Sequence, residues 1–199
     1  MPSPIKTNVS RILDSAGVSY KMHTYESHGE ALDGQSVAKA LGVDPRCLFK
    51  TLVTKGHDGE HRVFVVPCTG ELDLKAAARA AGCKSVEMIH VKDLQKVTGY
   101  IRGGCSPLGM KRPYPTVVDE SCKECETIIV SAGKIGFQVI CCAFAGERRP
   151  PLPNEAADCG AGAYGGRENH LVPGAAALFA ARLLAGRGLV LEDGTFRCR

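Results

Sequence analysis

A glycine-rich loop, TGYIRGGCSPLGMKRPYP at residues 98–115, is the part of the sequence best suited to bind an anion. Gly103 and Gly104 lack a Cβ atom, so their backbone amides can converge on an anion or on the oxyanion that develops in acyl transfer. A tight turn that needs a positive φ would use the same glycines. The spacing matches neither a P-loop nor a dinucleotide-binding fingerprint. Cys105 is a candidate nucleophile, but no His or Asp partner can be assigned to it.

A lysine stands in the middle of an apolar, strand-like run. The run is LFKTLVTKG, residues 48–56, and side-chain alternation places Lys50 on one face with Leu48 and Leu52. An unpaired ammonium on a buried face is costly and needs a reason, whereas on a solvated face it is an edge-strand charge that discourages aggregation. Periodicity alone favours the edge charge, because most lysines are exposed.

The ten cysteines of the chain are scattered and do not form a disulfide framework. Cys122 and Cys125 have metal-like spacing, but zinc usually needs a second matched pair. Cys141 and Cys142 cannot supply it, since adjacent residues of a strand point to opposite faces. We therefore expect no metal, no cofactor and, for a protein of the reducing cytosol, no structural disulfide.

Length and composition indicate one globular domain spanning residues 1–199. Hydrophobic residues make up 44% of the chain and charged residues 23%, and no apolar run reaches the about 20 residues that a membrane helix needs. The N-terminal residues lack the pattern of a secretory signal, so we expect a cytoplasmic protein with no membrane partner. A net charge of +4 permits a polyanionic partner without requiring one.

Hydrophobic periodicity predicts short strands interrupted by helices. The predicted helices cover residues 7–16, 33–45, 72–82, 92–97 and 175–188. The predicted strands cover residues 18–26, 48–56, 62–68, 84–89, 116–119, 126–133, 137–144 and 189–194, the second and third as a hairpin. Residues 146–173 are rich in Gly, Pro and Ala and are predicted to be a flexible insertion. This order favours an α+β domain with a curved, mixed, barrel-like sheet flanked by helices.

Four segments of the chain together resemble one protein family. They are LFKTLV, GELDLKAAARAAGCKSVEM, KVTGYIRGGCSPLGMKRPYPTVVD and ETIIVSAGKIG, in this order, and the resemblance extends over residues 7–144. They resemble the YbaK/EbsC family of aminoacyl-tRNA deacylases, relatives of the editing domain inserted in bacterial prolyl-tRNA synthetase. The Gly/Pro-rich residues 146–173 depart from the compact pattern of that family.

The resemblance implies a site and a substrate. Lys50 matches the functional lysine of the family, which faces the substrate pocket. The implied catalytic residues are Lys50, Tyr25, Gly103 and Ser131, and the implied substrate-binding residues are Thr51, Gly104 and Ser106. The implied partners are the 3′ end of an aminoacylated proline tRNA and, transiently, prolyl-tRNA synthetase. Tyr25 as a core aromatic and Ser131 as a turn cap are the structural alternatives.

The resemblance also implies a chemistry that needs neither metal nor nucleophilic residue. Cysteine and proline are close in size, and a hydrophobic pocket separates such side chains by only about 1–3 kcal/mol, so a second sieve is required. In the family the cysteinyl thiol is proposed to attack its own ester and release the tRNA. The resemblance implies that cysteinyl-tRNA(Cys) can also be a substrate. Three alternatives stay open: removal of alanine from proline tRNA, a noncatalytic module that binds tRNA or synthetase, and a thiol redox or zinc protein built on Cys122 and Cys125.

Overall fold

The computed structural model describes residues 5–15, 18–27, 29–142, 189–192 and 195–198. The described helices are α1 Asn8–Ser15, α2 Gly34–Leu41, α3 Leu74–Ala80 and α4 Val91–Thr98, with short 3-10 turns at Pro45–Cys47 and Glu120–Glu124. The described strands are β1 Tyr20–Thr24, β2 Phe49–Gly56, β3 His61–Pro67, β4 Val86–Met88, β5 Thr116–Val118, β6 Thr127–Ser131, β7 Phe137–Cys142, β8 Leu189–Glu192 and β9 Thr195–Cys198.

The seven strands β1 to β7 form two sheets. One is antiparallel with the order β1-β7-β6, and the other has the order β4-β2-β3-β5, in which β3 and β5 run parallel. A single parallel bridge between Leu48 and Ile129 joins the sheets. The α+β prediction is confirmed, with two bridged sheets in place of one closed barrel.

The predicted hairpin is confirmed in the second sheet. β2 and β3 pair antiparallel from Phe49 opposite Pro67 to Lys55 opposite His61. Gly59 allows the tight turn between them, with a φ of 82° that residues with a Cβ rarely adopt. β3 ends at Pro67, as the missing amide hydrogen favours. β2 lies between β3 and β4 in the order of the sheet, although β4 pairs only with residues 54–56 of β2. Lys50 is half-buried, which does not fit a fully solvated edge charge.

Three apolar clusters hold the helices on the sheets. Val9 and Leu13 of α1 are fully buried in the largest cluster, which includes residues of both sheets. α3 covers the second sheet through Ala77 and Ala78, and α2 places Val37 over the bridge between the sheets. Burial of these apolar side chains is the main driving force that fixes the helices.

Some predictions concern parts of the chain that lie wholly or partly outside the described residues. The insertion at 146–173 and the helix at 175–188 lie wholly outside them. The strand predicted at 189–194 is present as β8, which pairs with β9. That residues 1–199 form one domain stays a prediction. No helix among the described residues combines the length and the apolar character needed to cross a membrane.

The expectation of no structural disulfide is wrong, because Cys47 and Cys125 are bonded. They are 78 residues apart in sequence, but their Cα atoms lie 5.8 Å apart. Cys47 ends a 3-10 turn directly before Leu48, and Cys125 follows the other 3-10 turn and precedes β6. The bridge between Leu48 and Ile129 therefore brings the two cysteines together.

Replacing Cys125 by serine is expected to lower the free energy of unfolding by about 3 kcal/mol under oxidising conditions, because the cross-link restricts a long loop of the unfolded chain. Urea unfolding with and without a thiol reductant measures this effect. In excess reductant the variant and the wild type should unfold at similar urea concentrations. Cys83→Ser is the matched control, since Cys83 is a free, partly exposed cysteine. Equal wild-type stability with and without reductant would contradict the prediction.

Candidate active site

A cavity of about 130 Å³ opens where the two sheets meet beneath α2. Its walls include apolar side chains of α2 and β2, together with a set of polar and thiol side chains. The polar and thiol residues that line it are Tyr25, Lys50, Thr51, Cys68, Cys105, Ser131 and Gln138. Gly103 of the glycine-rich loop also lines it. The cavity thus brings together the four residues implied as catalytic.

The bridge between the sheets explains how residues from distant segments meet. Leu48 and Ile129 pair in parallel, so Lys50 and Ser131 each lie two residues beyond the bridge. Residues two apart along a strand share a face, and both side chains therefore follow the buried pair toward the cavity. Gln138 is directly opposite Ser131 in the antiparallel pairing of β6 and β7, and continues the row across the first sheet.

The ammonium group of Lys50 is held by the turn that follows β3. Its Nζ donates hydrogen bonds to the carbonyl oxygens of Gly70 and, at 3.5 Å, Cys68. Backbone carbonyls stabilise the cation without neutralising it, and an ammonium has three N–H donors. Two of them are used by these carbonyl oxygens, so with respect to the described residues one donor is left for a ligand. Lys50 is half-buried, so its interaction with a bound negative charge would be less screened than at the surface.

Tyr25 and Ser131 lie at the cavity and also make structural contacts. The Tyr25 amide donates to the carbonyl oxygen of Gly136 at 3.0 Å, which joins the segment after β1 to the turn between β6 and β7. The Ser131 hydroxyl accepts a hydrogen bond from the Gly133 amide at 3.3 Å, and Ser131 is 8% exposed. Ser131 therefore caps the turn, which was the structural alternative to a catalytic role for this residue, and it also lines the cavity.

The glycine-rich loop approaches the cavity as a tight turn. The Gly104 amide donates to the carbonyl oxygen of Ile101 at 3.0 Å, and Gly103 has a φ of 81°. A Cβ atom added at Gly103 would lie 2.5 Å from the Cβ of Ala31. Both the backbone conformation and the close approach of the two segments therefore require glycine at position 103.

Three residues implied as substrate-binding are placed differently from one another. Thr51 lines the cavity, and its buried Oγ1 has no hydrogen-bond partner among the described residues. Gly104 is buried beside the cavity and its amide is used in the turn. Ser106 is fully buried and accepts a hydrogen bond from the Leu108 amide at 3.3 Å, and it is not among the lining residues.

Two of the polar and thiol residues that line the cavity were not identified from the sequence. Gln138 interrupts the apolar run of β7, just as Lys50 interrupts that of β2, so the same question about a polar residue in an apolar strand would have found it. Cys68 carried no such signal. Cys68 lies in the turn whose carbonyl oxygens hold Lys50, and its Sγ donates a hydrogen bond to the carbonyl oxygen of Pro45 at 3.1 Å.

Burial affects both thiols that line the cavity, those of Cys68 and Cys105. Burial raises the pKa of the Cys68 thiol, with Lys50 opposing the shift in part, and it raises the pKa of Cys105 to about 11. Both thiols are therefore protonated near neutral pH.

Cys125 is bonded to Cys47 and cannot join Cys122 in binding zinc. The described residues contain no group of three or more side chains placed to bind a metal ion.

Comparisons with known proteins agree with this architecture. The family described as the aminoacyl-tRNA editing domain matches residues 28–141. A protein of Enterococcus faecalis named as a Cys-tRNA(Pro)/Cys-tRNA(Cys) deacylase, EbsC, is 48% identical over 134 residues, which are 67% of this chain and 82% of that protein.

Two solved structures share the fold at low sequence identity. One is described as a trans-editing enzyme for prolyl-tRNA synthetase, with a TM-score of 0.60, 22% identity and coverage of 69% of this chain and 88% of its own. The other is a hypothetical protein, with a TM-score of 0.61, 20% identity and coverage of 66% and 86%.

The fold and the family match define the class of the protein as an enzyme of aminoacyl-tRNA editing, which cleaves the ester between an amino acid and tRNA. More particularly, the chain belongs to the aminoacyl-tRNA editing domain family, in its YbaK/EbsC group.

Proposed function

We propose that the protein acts in trans on cysteine attached to proline tRNA, and that the thiol of the substrate cleaves its own ester. The observation that carries this proposal is the convergence of Lys50 and Gly103 on one cavity. The ammonium supplies positive charge, and the glycine turn brings backbone close to the reacting ester. The E. faecalis relative, named for activity on both cysteinyl-tRNA(Pro) and cysteinyl-tRNA(Cys), supports cysteine as the amino acid removed.

In the proposed step, the substrate thiolate attacks the carbonyl carbon of the aminoacyl ester. A carbon–sulfur bond forms, the tetrahedral oxyanion collapses, and the bond to the ribose oxygen breaks. The proton lost by the thiol is transferred to that oxygen, so the products are a cysteine thiolactone and free tRNA. A free thiol has a pKa of about 8.5, and the cation of Lys50 would raise its thiolate fraction at neutral pH. The Gly103 amide would stabilise the oxyanion.

The cavity thiols of the enzyme favour this mechanism over a covalent acyl-enzyme. The nucleophile must be a thiolate, and burial keeps Cys105 and Cys68 protonated at neutral pH. Among the described residues that line the cavity with Cys105, there is no histidine that could act as its base. The substrate thiol therefore fits better as the attacking group.

A matched set of tRNA(Pro) substrates tests the proposal. The wild-type protein is expected to release cysteine at least about 100-fold faster than serine or alanine, because only cysteine carries a side chain that is readily ionised near neutral pH. Release of radiolabelled amino acid over time measures the rates, with uncatalysed hydrolysis subtracted for each substrate. Serine is the closest control, since it replaces only sulfur by oxygen.

Other outcomes would identify the alternatives. Faster release of alanine than of cysteine would assign alanine editing and exclude thiol assistance. A shift of tRNA mobility in a gel without release of any amino acid would identify a noncatalytic binding module. On the present proposal, prolyl-tRNA synthetase is a transient partner and the activity is cytoplasmic, where the mischarged tRNA is produced.

A further inference from the structure

Gln138 is a buried polar residue at the cavity with an unsatisfied acceptor. It is 6% exposed and lies on β7, opposite Ser131 on β6 and His23 on β1. Its Oε1 is buried and has no hydrogen-bond partner among the described residues. A buried carbonyl oxygen without a donor costs about 1–3 kcal/mol, so such a group in a cavity is suited to receive a donor from a ligand.

The charges around the cavity restrict which ligand donor fits. Among the described residues that line the cavity, Lys50 carries the only charged side chain and none carries a carboxylate. The side-chain amide of Gln138 is neutral and can accept a hydrogen bond through its Oε1. The cavity therefore offers donors from Lys50 and a neutral acceptor from Gln138.

We propose that Gln138 Oε1 accepts a hydrogen bond from the α-ammonium group of the aminoacyl substrate; this inference rests on the proposed function. An aminoacyl ester has acceptors at its carbonyl and ribose oxygens and a strong, charged donor at its α-ammonium. The acceptors face Lys50 and the glycine turn, and the donor faces Gln138. Gln138 is thus a specificity residue that selects α-amino acids over other acyl groups.

Two esters of tRNA(Pro) test the contact: cysteinyl, and 3-sulfanylpropanoyl, which keeps the thiol and lacks only the α-amine. Gln138→Leu is expected to lower kcat/KM about 30-fold for the cysteinyl ester, as for the loss of one hydrogen bond to a charged group. For the 3-sulfanylpropanoyl ester the loss should stay under about threefold, because that substrate has no donor to lose. Leucine is similar in volume to glutamine and removes an unpartnered polar group, so the variant should fold.

Gln138→Glu separates the acceptor role from a donor role of the same amide. The carboxylate keeps the acceptor oxygen, so cysteinyl turnover should stay at least about tenfold above that of Gln138→Leu. Gln95→Leu is the matched control, since Gln95 is exposed on α4 and does not line the cavity. Loss of activity in both Gln138 variants, or equal losses on both esters, would overturn the inference.

A binding measurement separates failure of the contact from failure of the proposed function. The probe is cysteine joined to 3′-amino-adenosine by an amide, together with its deaminated counterpart, and titration calorimetry gives the dissociation constants. Wild type should bind the amine-bearing probe about 30-fold more tightly than Gln138→Leu does, with no such difference for the counterpart. Absence of turnover by wild type would refute the deacylase proposal, whereas equal binding of the probe by wild type and Gln138→Leu would refute the α-ammonium contact.

Discussion

Replacing Lys50 by alanine is expected to lower kcat/KM for release of cysteine from cysteinyl-tRNA(Pro) by about 1,000-fold. The ammonium supports two parts of the proposed step: it favours the substrate thiolate, and it stabilises the negative charge of the tetrahedral intermediate. Removing a single oxyanion donor typically costs about 100- to 1,000-fold, and loss of the positive charge would remove both effects together. The expected loss therefore lies at the upper end of that range.

Two further variants separate the charge from the packing of the lysine stem. Lys50→Met keeps an unbranched apolar side chain and should be as inactive as Lys50→Ala. Lys55→Ala removes an exposed cation from the same strand and should leave kcat/KM within about twofold of wild type. Single-turnover rates and urea unfolding are measured for each variant. Undiminished turnover by a folded Lys50→Ala variant would remove Lys50 from the mechanism.

The sequence predicted the parts of the site that lie within single segments. The hairpin that carries Lys50 follows from two apolar runs around a glycine-containing turn, and the conformation of Gly103 follows from a glycine pair in a loop too rich in Gly and Pro for regular structure. The assignment of Lys50 to a pocket came from the resemblance to a family. Periodicity had favoured an exposed edge charge, because it does not reveal which strand lies beside another.

The features missed from the sequence depend on contacts between distant segments. Cys47 and Cys125 are bonded across 78 residues, and the argument from the reducing cytosol gave no information on their distance. Gln138 reaches the cavity because β7 pairs with both β1 and β6, which hydrophobic alternation alone does not determine. Ser106 was implied as substrate-binding by the resemblance alone. It is fully buried and is not among the lining residues of the cavity, and its role stays a prediction.

A side chain at position 103 of the glycine-rich loop is expected to lower both activity and stability. Gly103→Ala should lower kcat/KM about 100-fold and the free energy of unfolding by about 3 kcal/mol. Its φ of 81° is strained for alanine by about 1–2 kcal/mol. The new Cβ would also lie 2.5 Å from the Cβ and 2.9 Å from the Cα of Ala31, so the loop must move away from the segment that precedes α2.

A second glycine separates backbone strain from the steric clash. Gly59 has nearly the same φ, 82°, but an added Cβ there would have no heavy atom within 4 Å. Gly59→Ala should therefore cost only the strain of about 1–2 kcal/mol and leave deacylation unchanged, since Gly59 lies in the hairpin turn. Adding Ala31→Gly to Gly103→Ala should recover part of the stability, because it removes the contact between the two Cβ atoms but not the one with the Ala31 Cα. Equal losses of stability and of deacylation rate in Gly103→Ala and Gly59→Ala would contradict the prediction. Backbone strain alone would then explain the need for glycine at position 103, and the close approach of its loop to Ala31 would not hold the backbone at the reacting ester.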